Sequence, residues 1–115
     1  MTRVDASHKM PLSALQEIAS STFGDLVKAV VDVRKEILIV DAELHADQEA
    51  YLLESGSREE DLWGINLHPE WAEEDWIEFD SVINIRPRQN NPSRTVLEEA
   101  MRSRIASIVT ALVVR

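Results

Sequence analysis

The sequence predicts an α+β fold: a four-stranded, mainly antiparallel sheet with three helices in the order α-β-β-α-β-β-α, the helices mostly on one face. Three observations carry this. Residues 26–33, LVKAVVDV, form a β-branched run joined to a second one, ILIVDAEL at 37–44, by the polar link Arg34-Lys35-Glu36, which is a hairpin pattern. Residues 76–86, WIEFDSVINIR, alternate so that Ile77, Phe79, Ser81, Ile83 and Ile85 share one strand face. Stretches beginning near residues 11, 46 and 95 read as helices.

The first helix spans 11–23, with Leu12, Leu15, Ile18 and Ala19 at helical spacing, Pro11 suited to a first turn and Gly24 to a stop. In the hairpin that follows, Leu38, Val40, Ala42 and Leu44 form the buried face, and Asp41, Glu43 and His45 the opposite one. The second helix covers 46–55, opened by Asp47 as a cap and closed by Gly56. A third strand over roughly 61–67 leads through an acidic loop to the fourth, 76–86. The last helix starts near Thr95, where Thr95-x-x-Glu98 is a capping-box pattern, and buries Leu97, Met101, Ile105, Ile108 and Leu112.

Parity makes one face of this sheet polar. Lys28, Asp32, Asp41, Glu43, His45, Asn66, Glu78, Asp80, Asn84 and Arg86 gather there, exposed if the helices cover the other face. The chain reads as one domain over 1–115, with 1–9 poorly ordered or an edge extension. It has no cysteine, which excludes disulfides, zinc–thiolate sites and thiol catalysis. No apolar run reaches the roughly 20 residues of a membrane span. The N-terminus lacks the apolar core of a signal peptide, so a cytoplasmic protein is expected.

Net charge is −9 and unevenly placed: residues 41–80 carry fourteen Asp and Glu against the single Arg58. Residues 84–115 carry six Arg against Glu98 and Glu99. Such acidity argues against nucleic acid as a partner. The charge split, the mixed-charge sheet face, and Trp63, Trp71 and Trp76 together point to a homodimer. Only three glycines occur, which excludes glycine-rich nucleotide cradles, and no nucleophile elbow is present.

Three constellations carry chemistry. Asn84, Arg86, Arg88, Asn91, Ser93 and Arg94 flank the last helix start and would bind a small anion there. Glu78 and Asp80, two apart on a strand, could serve as acid and base with His45 as proton carrier. Glu43, His45 and Asp80 are the residues that would hold a divalent metal, although no resident cofactor is expected. The favoured function is a non-enzymatic binding module for a small anionic ligand near Arg86 and Arg94. The alternative is an enzyme acting on a small phosphorylated or carboxylated substrate through His45, Glu78, Asp80 and Arg86.

The blocks FGDLVKAVVDV (23–33), ELHADQEAYLLESGS (43–57), LWGINLHP (62–69) and WIEFDSVINIRP (76–87) resemble a family of small prokaryotic proteins of unknown function, over roughly residues 12–112. Asp41-Ala42 stand where that family tends to have Gly-Gly, and Asn90-Asn91-Pro92-Ser93-Arg94 replace a Gly-Asn-Arg-Ser-Arg type of loop. The resemblance implies a compact α+β domain with solved structures and no established activity. It transfers no site residues.

Overall fold

Residues 1–115 are described by the structure, a computed structural model. In chain order the elements are β1 (Thr2–Val4), β2 (Met10–Pro11), α1 (Leu12–Ser21), β3 (Val27–Asp32), β4 (Ile37–Val40), α2 (His45–Glu54), β5 (Leu62–Leu67), β6 (Ile77–Glu78), α3 (Glu99–Leu112) and β7 (Val113–Val114). Short 3-10 turns occupy Glu59–Asp61, Val82–Asn84 and Pro87–Gln89. The α+β class stands, but the strand count and order differ from expectation. The main sheet has five strands in the order β1-β4-β3-β5-β6, all antiparallel, and β2 pairs with β7 as a small parallel sheet. The extra strand comes from the N-terminus, where Thr2–Val4 lies along β4 and Val4 is buried in the core.

The β3–β4 hairpin is tied by Asp32, which is fully buried. Its Oδ1 accepts the N–H groups of Arg34 and Lys35 at 2.9 Å each, and its Oδ2 accepts the Ser57 hydroxyl at 2.6 Å. Glu36, at φ +57°, completes the turn. The second strand of the hairpin is shorter than the sequence suggests. Asp41 adopts φ +65°, a conformation that Asp tolerates better than most residues, and this ends β4 at Val40. Glu43 and His45 therefore do not share a strand face. Glu43 is exposed, Leu44 is exposed, and His45 opens α2.

Leu44 occupies the N-cap position of α2 and no side chain caps it; Asp47 sits in the first turn, where a carboxylate suits the helix dipole. At the other end Gly56, at φ +99°, supports a Schellman closure, with Ser57 N–H on Leu52 O at 2.9 Å and Gly56 N–H on Leu53 O at 3.2 Å.

Helices cover both sheet faces. Leu15 and Ala19 of α1, with Ile105 and Val109 of α3, pack on Ala29, Val31, Leu38, Val40 and Ile65. On the opposite face Leu52 of α2 packs on Val30, Ile37, Ile39 and Leu62, with Ile83 beside them. The polar face expected to lie open is thus a second, smaller core, and Asp32 and Asn66 are buried within it.

The largest departure lies in 76–86. Only Ile77–Glu78 pairs with β5; the chain then crosses over the sheet edge and turns at Val82–Asn84. Gly64 makes the crossing possible, because a Cβ there would stand 2.6 Å from Ser81 Cβ. The expected alternation breaks at this turn, so that Asn84 and Arg86 are buried while Ile85 faces water.

The last helix also starts later than the capping-box pattern suggests, at Glu99 with Glu98 as N-cap and no side-chain cap. Asn91 captures the preceding loop: its Nδ2 donates to the carbonyls of Asn84, Ser93 and Thr95, and its Oδ1 accepts Leu97 N–H at 2.9 Å. In that conformation Val96 turns into the core and Leu97 turns out.

Candidate functional site

The outer edge of β5 needs partners for its backbone, and beyond β6 no strand supplies them. Asn84 does so in part. Its Oδ1 accepts Gly64 N–H at 2.8 Å and its Nδ2 donates to Gly64 O at 3.0 Å, the two bonds that a neighbouring strand residue would make. Two residues toward the start of β5, the Arg86 guanidinium donates to the carbonyls of Leu62 and Glu59 and lies over the Trp63 ring at 4.1 Å. Burial pushes the Arg86 pKa down, while Glu49 and Glu59 act in the opposite direction. Asn84, Arg86 and Asn91, which the sequence marks for an anion, are thus engaged with the chain's own backbone.

The remaining loop residues divide. Ser93 Oγ accepts Thr95 N–H at 3.2 Å. Arg94 clasps Asp80, with Nε to Oδ1 at 2.7 Å and Nη2 to Oδ2 at 3.3 Å, which holds the Asp80 carboxyl below its ordinary value. Both side chains are about half exposed, so solvent screens the pair and it adds little to stability. Arg88 makes no ion pair; it lines a shallow cleft of about 460 Å³ with Arg86, Gln89 and the carboxylates Glu59 and Glu60. The six residues do not converge on one anion position.

A polar row crosses the sheet at the end near the α2 start, where Lys28 pairs with Asn66 and Asn66 with Glu78. Asn66 Nδ2 donates to Glu78 Oε1 at 2.9 Å and to Asp80 O at 3.2 Å. His68 Nε2 reaches the same Glu78 oxygen at 3.3 Å, and its ring stacks on Trp71 at 3.6 Å. Glu78 and Asp80 therefore serve different partners. No group of three or more His, Asp or Glu side chains comes together to hold a metal, so Glu43, His45 and Asp80 do not form a ligand set. The reason is the early end of β4, which sends Glu43 to the surface.

His45 lies under α2 with Nε2 donating to Ile65 O at 2.8 Å. Burial lowers its pKa below 6.5, Lys28 and Arg94 add to that, and the Ile65 carbonyl and Asp80 oppose it. Because the unfolded chain binds this proton more readily, the contribution of His45 is complete above pH 6.5 and is lost as pH falls toward the lower folded value. Urea unfolding at pH 7.5 and about pH 5 is expected to show a loss that is smaller in His45→Gln. Equal losses in the two proteins would remove His45 from that role.

The residues that the sequence reading missed are apolar. Ala46, Ala50 and Leu53, at i, i+4 and i+7, form an outward stripe on α2 opposite its buried residues His45, Gln48 and Leu52. The Val82–Asn84 turn packs beside α2, and from this segment Val82 is 62% and Ile85 44% exposed, with Leu53 at 40%. The signal was present: Ala46, Ala50 and Leu53 lie off the face that carries Leu52, the one apolar residue α2 buries against the sheet. A separate cleft of about 490 Å³ lies between α3 and the N-terminal turn, floored by Ile37, Ile108 and Leu112 and rimmed by Lys9 and Lys35. Arg3, also at that rim, is bound by Asp5 at 3.0 Å.

No helix is long and apolar enough to cross a membrane. No curated protein matches the chain, and no solved structure does. One family does match: proteins of unknown function, DUF5674, over residues 6–112.

Proposed function

The chain belongs to the DUF5674 family, and from that premise we propose that it is a non-enzymatic interaction module. One observation carries the reading. The polar residues with the chemistry of a site, Asn84, Arg86 and Asn91, bind the chain's own backbone, whereas Leu53, Val82 and Ile85 stand out in water along one side of α2. A buried amide or guanidinium bonded to carbonyls positions a loop; exposed apolar side chains gathered on one face are the usual mark of a docking surface. Homodimerisation belongs to the same reading, and light scattering tests it against the 13.0 kDa of one chain.

The two ligand readings are separated by a thermal-shift panel of phosphate, nucleotides, small carboxylates, Mg²⁺, Mn²⁺ and Zn²⁺, singly and paired. A ligand at 100 times its dissociation constant adds about 2.7 kcal/mol, worth roughly 10 °C in a domain of this size. The expected result is an unmoved melting temperature throughout. A shift with an anion alone, lost in Arg94→Ala, would place a ligand at the Arg88–Arg94 loop instead. A shift that needs metal and anion together would favour an enzyme built on His45, Glu78 and Asp80.

A further inference from the structure

We propose that the pocket between Trp63 and the start of α3 binds a small neutral molecule, an apolar ring that carries a hydroxyl group. The proposal stands beside the interaction-module reading and does not rest on it. The loop that leads into α3 builds the pocket wall. Asn91 holds this loop through the carbonyls of Asn84, Ser93 and Thr95 and through Leu97 N–H, which turns Val96 inward. Gln89 Nε2 is tied to Glu60 O at 3.1 Å. With Met101 in the first turn of α3 and Trp63 on β5, these residues enclose about 240 Å³. A cavity of about 150 Å³ is enough to hold benzene, so this one takes a ring with one or two substituents.

The pocket's polar groups select the hydroxyl. Trp63 is 4% exposed, and its Nε1–H has no hydrogen-bond partner. A buried indole N–H ordinarily has one, and an orphaned donor in a pocket wall calls for an acceptor on the occupant. The N–H is closed to water. Met101 is half-buried, unbranched and the most adaptable part of the wall, so a turn of its side chain opens the donor to a ligand. Two acceptors line the same pocket without partners of their own: Gln89 Oε1 and the Glu98 carboxylate. A hydroxyl meets both requirements, because it accepts from Trp63 and donates to Gln89 or Glu98. Charge selects a neutral body. A cation would meet an N–H donor on a ring already occupied by the Arg86 guanidinium at 4.1 Å, and an anion would meet Glu98. Val96 and Met101 supply the apolar contact for the rest of the ring.

The probes are p-cresol and toluene, which share the ring and differ only in the hydroxyl. Each is titrated into the 15N-labelled protein, whose three tryptophans give three assigned indole N–H signals. p-Cresol is expected to move the Trp63 signal downfield, ahead of those of Trp71 and Trp76, with a Kd of about 1 mM or below. Toluene is expected to bind at least about fivefold more weakly and to cause no downfield shift at Trp63. Ring-current effects are common to both probes, so their difference reads the hydrogen bond. Trp63→Phe keeps an aromatic ring and removes the donor, and it should bind the two probes equally. If that variant does not fold, Met101→Trp, at a half-buried position, fills the pocket instead and is expected to abolish the p-cresol response. The proposal is overturned by a response centred on the half-exposed Trp71, by equal affinity for the two probes, or by a p-cresol response that survives either variant. A Trp63 signal unmoved at about 5 mM p-cresol overturns it as well.

Discussion

Asn84→Ala is expected to lower stability by about 3–5 kcal/mol, a fall in melting temperature of roughly 10–20 °C. The side chain is fully buried and makes three bonds: it accepts Gly64 N–H and donates to the carbonyls of Gly64 and Arg94. Alanine leaves the Gly64 groups buried beneath the turn with no other partner, at about 1–3 kcal/mol for each. It also opens a small cavity where the amide was. Asn84→Asp separates the two effects. It keeps the shape and the acceptor for Gly64 N–H but sets an oxygen against the Gly64 carbonyl, so it should cost at least as much as alanine. Urea unfolding of both variants reads the difference directly. If Asn84→Ala falls within about 1 kcal/mol of wild type, the side chain is not standing in for a strand.

The second large effect is at Gly64, where the obstacle is room rather than backbone strain. A Cβ added there would lie 2.6 Å from Ser81 Cβ, 2.7 Å from Ser81 Oγ and 3.1 Å from Ile83 Cγ1. Gly64→Ala therefore has to lift the 81–84 turn off the sheet, which stretches the Asn84 bonds as well. Overpacking alone costs about 1–3 kcal/mol, and the coupled hydrogen bonds should bring the loss to about 3 kcal/mol or more. Ser81→Gly removes both of the closest atoms while forfeiting only the 3.3 Å bond from Ile83 N–H to Ser81 Oγ. The double variant Gly64→Ala/Ser81→Gly should recover at least about 1 kcal/mol relative to additivity. Strict additivity would mean that the turn does not rest on Gly64.

Both variants probe how the 76–86 segment, where sequence reasoning went furthest astray, rests on β5. The alternation of 76–86 is a genuine β pattern, and Ile77–Glu78 does pair. Local periodicity has no means of announcing that an asparagine six residues on will replace the strand. The same holds at Thr95-x-x-Glu98, where the capping pattern is present but Asn91 has already taken Leu97 N–H and fixed the loop. The Glu43–His45 pair was lost to one torsion, Asp41 at φ +65°, which a strand pattern does not foresee. In each case a long-range polar contact or a single backbone turn overrides a locally consistent signal.

Within the candidate site, the sequence singled out residues that the structure finds bonded to backbone. Asn84, Arg86 and Asn91 stood out because an amide or guanidinium on an apolar segment calls for a partner. The partner is the chain itself, which only the approach of β5 to the 81–91 segment decides. The docking face went unread for the opposite reason: Ala46, Ala50 and Leu53 look like core until Leu52 is seen to fill that place.

By itself the sequence determined the α+β class, the β3–β4 hairpin, strand β5, the extents of α1 and α2 and the acidic character of the middle of the chain. All of these depend on side-chain period, β-branching and charge, which act over a few residues. Tertiary structure alone decided that Thr2–Val4 joins the sheet, that α2 covers the second face, and that side chains rather than a strand seal the edge of β5. Those outcomes depend on which backbone groups are left without partners once the sheet has assembled, and that is a property of the packed molecule.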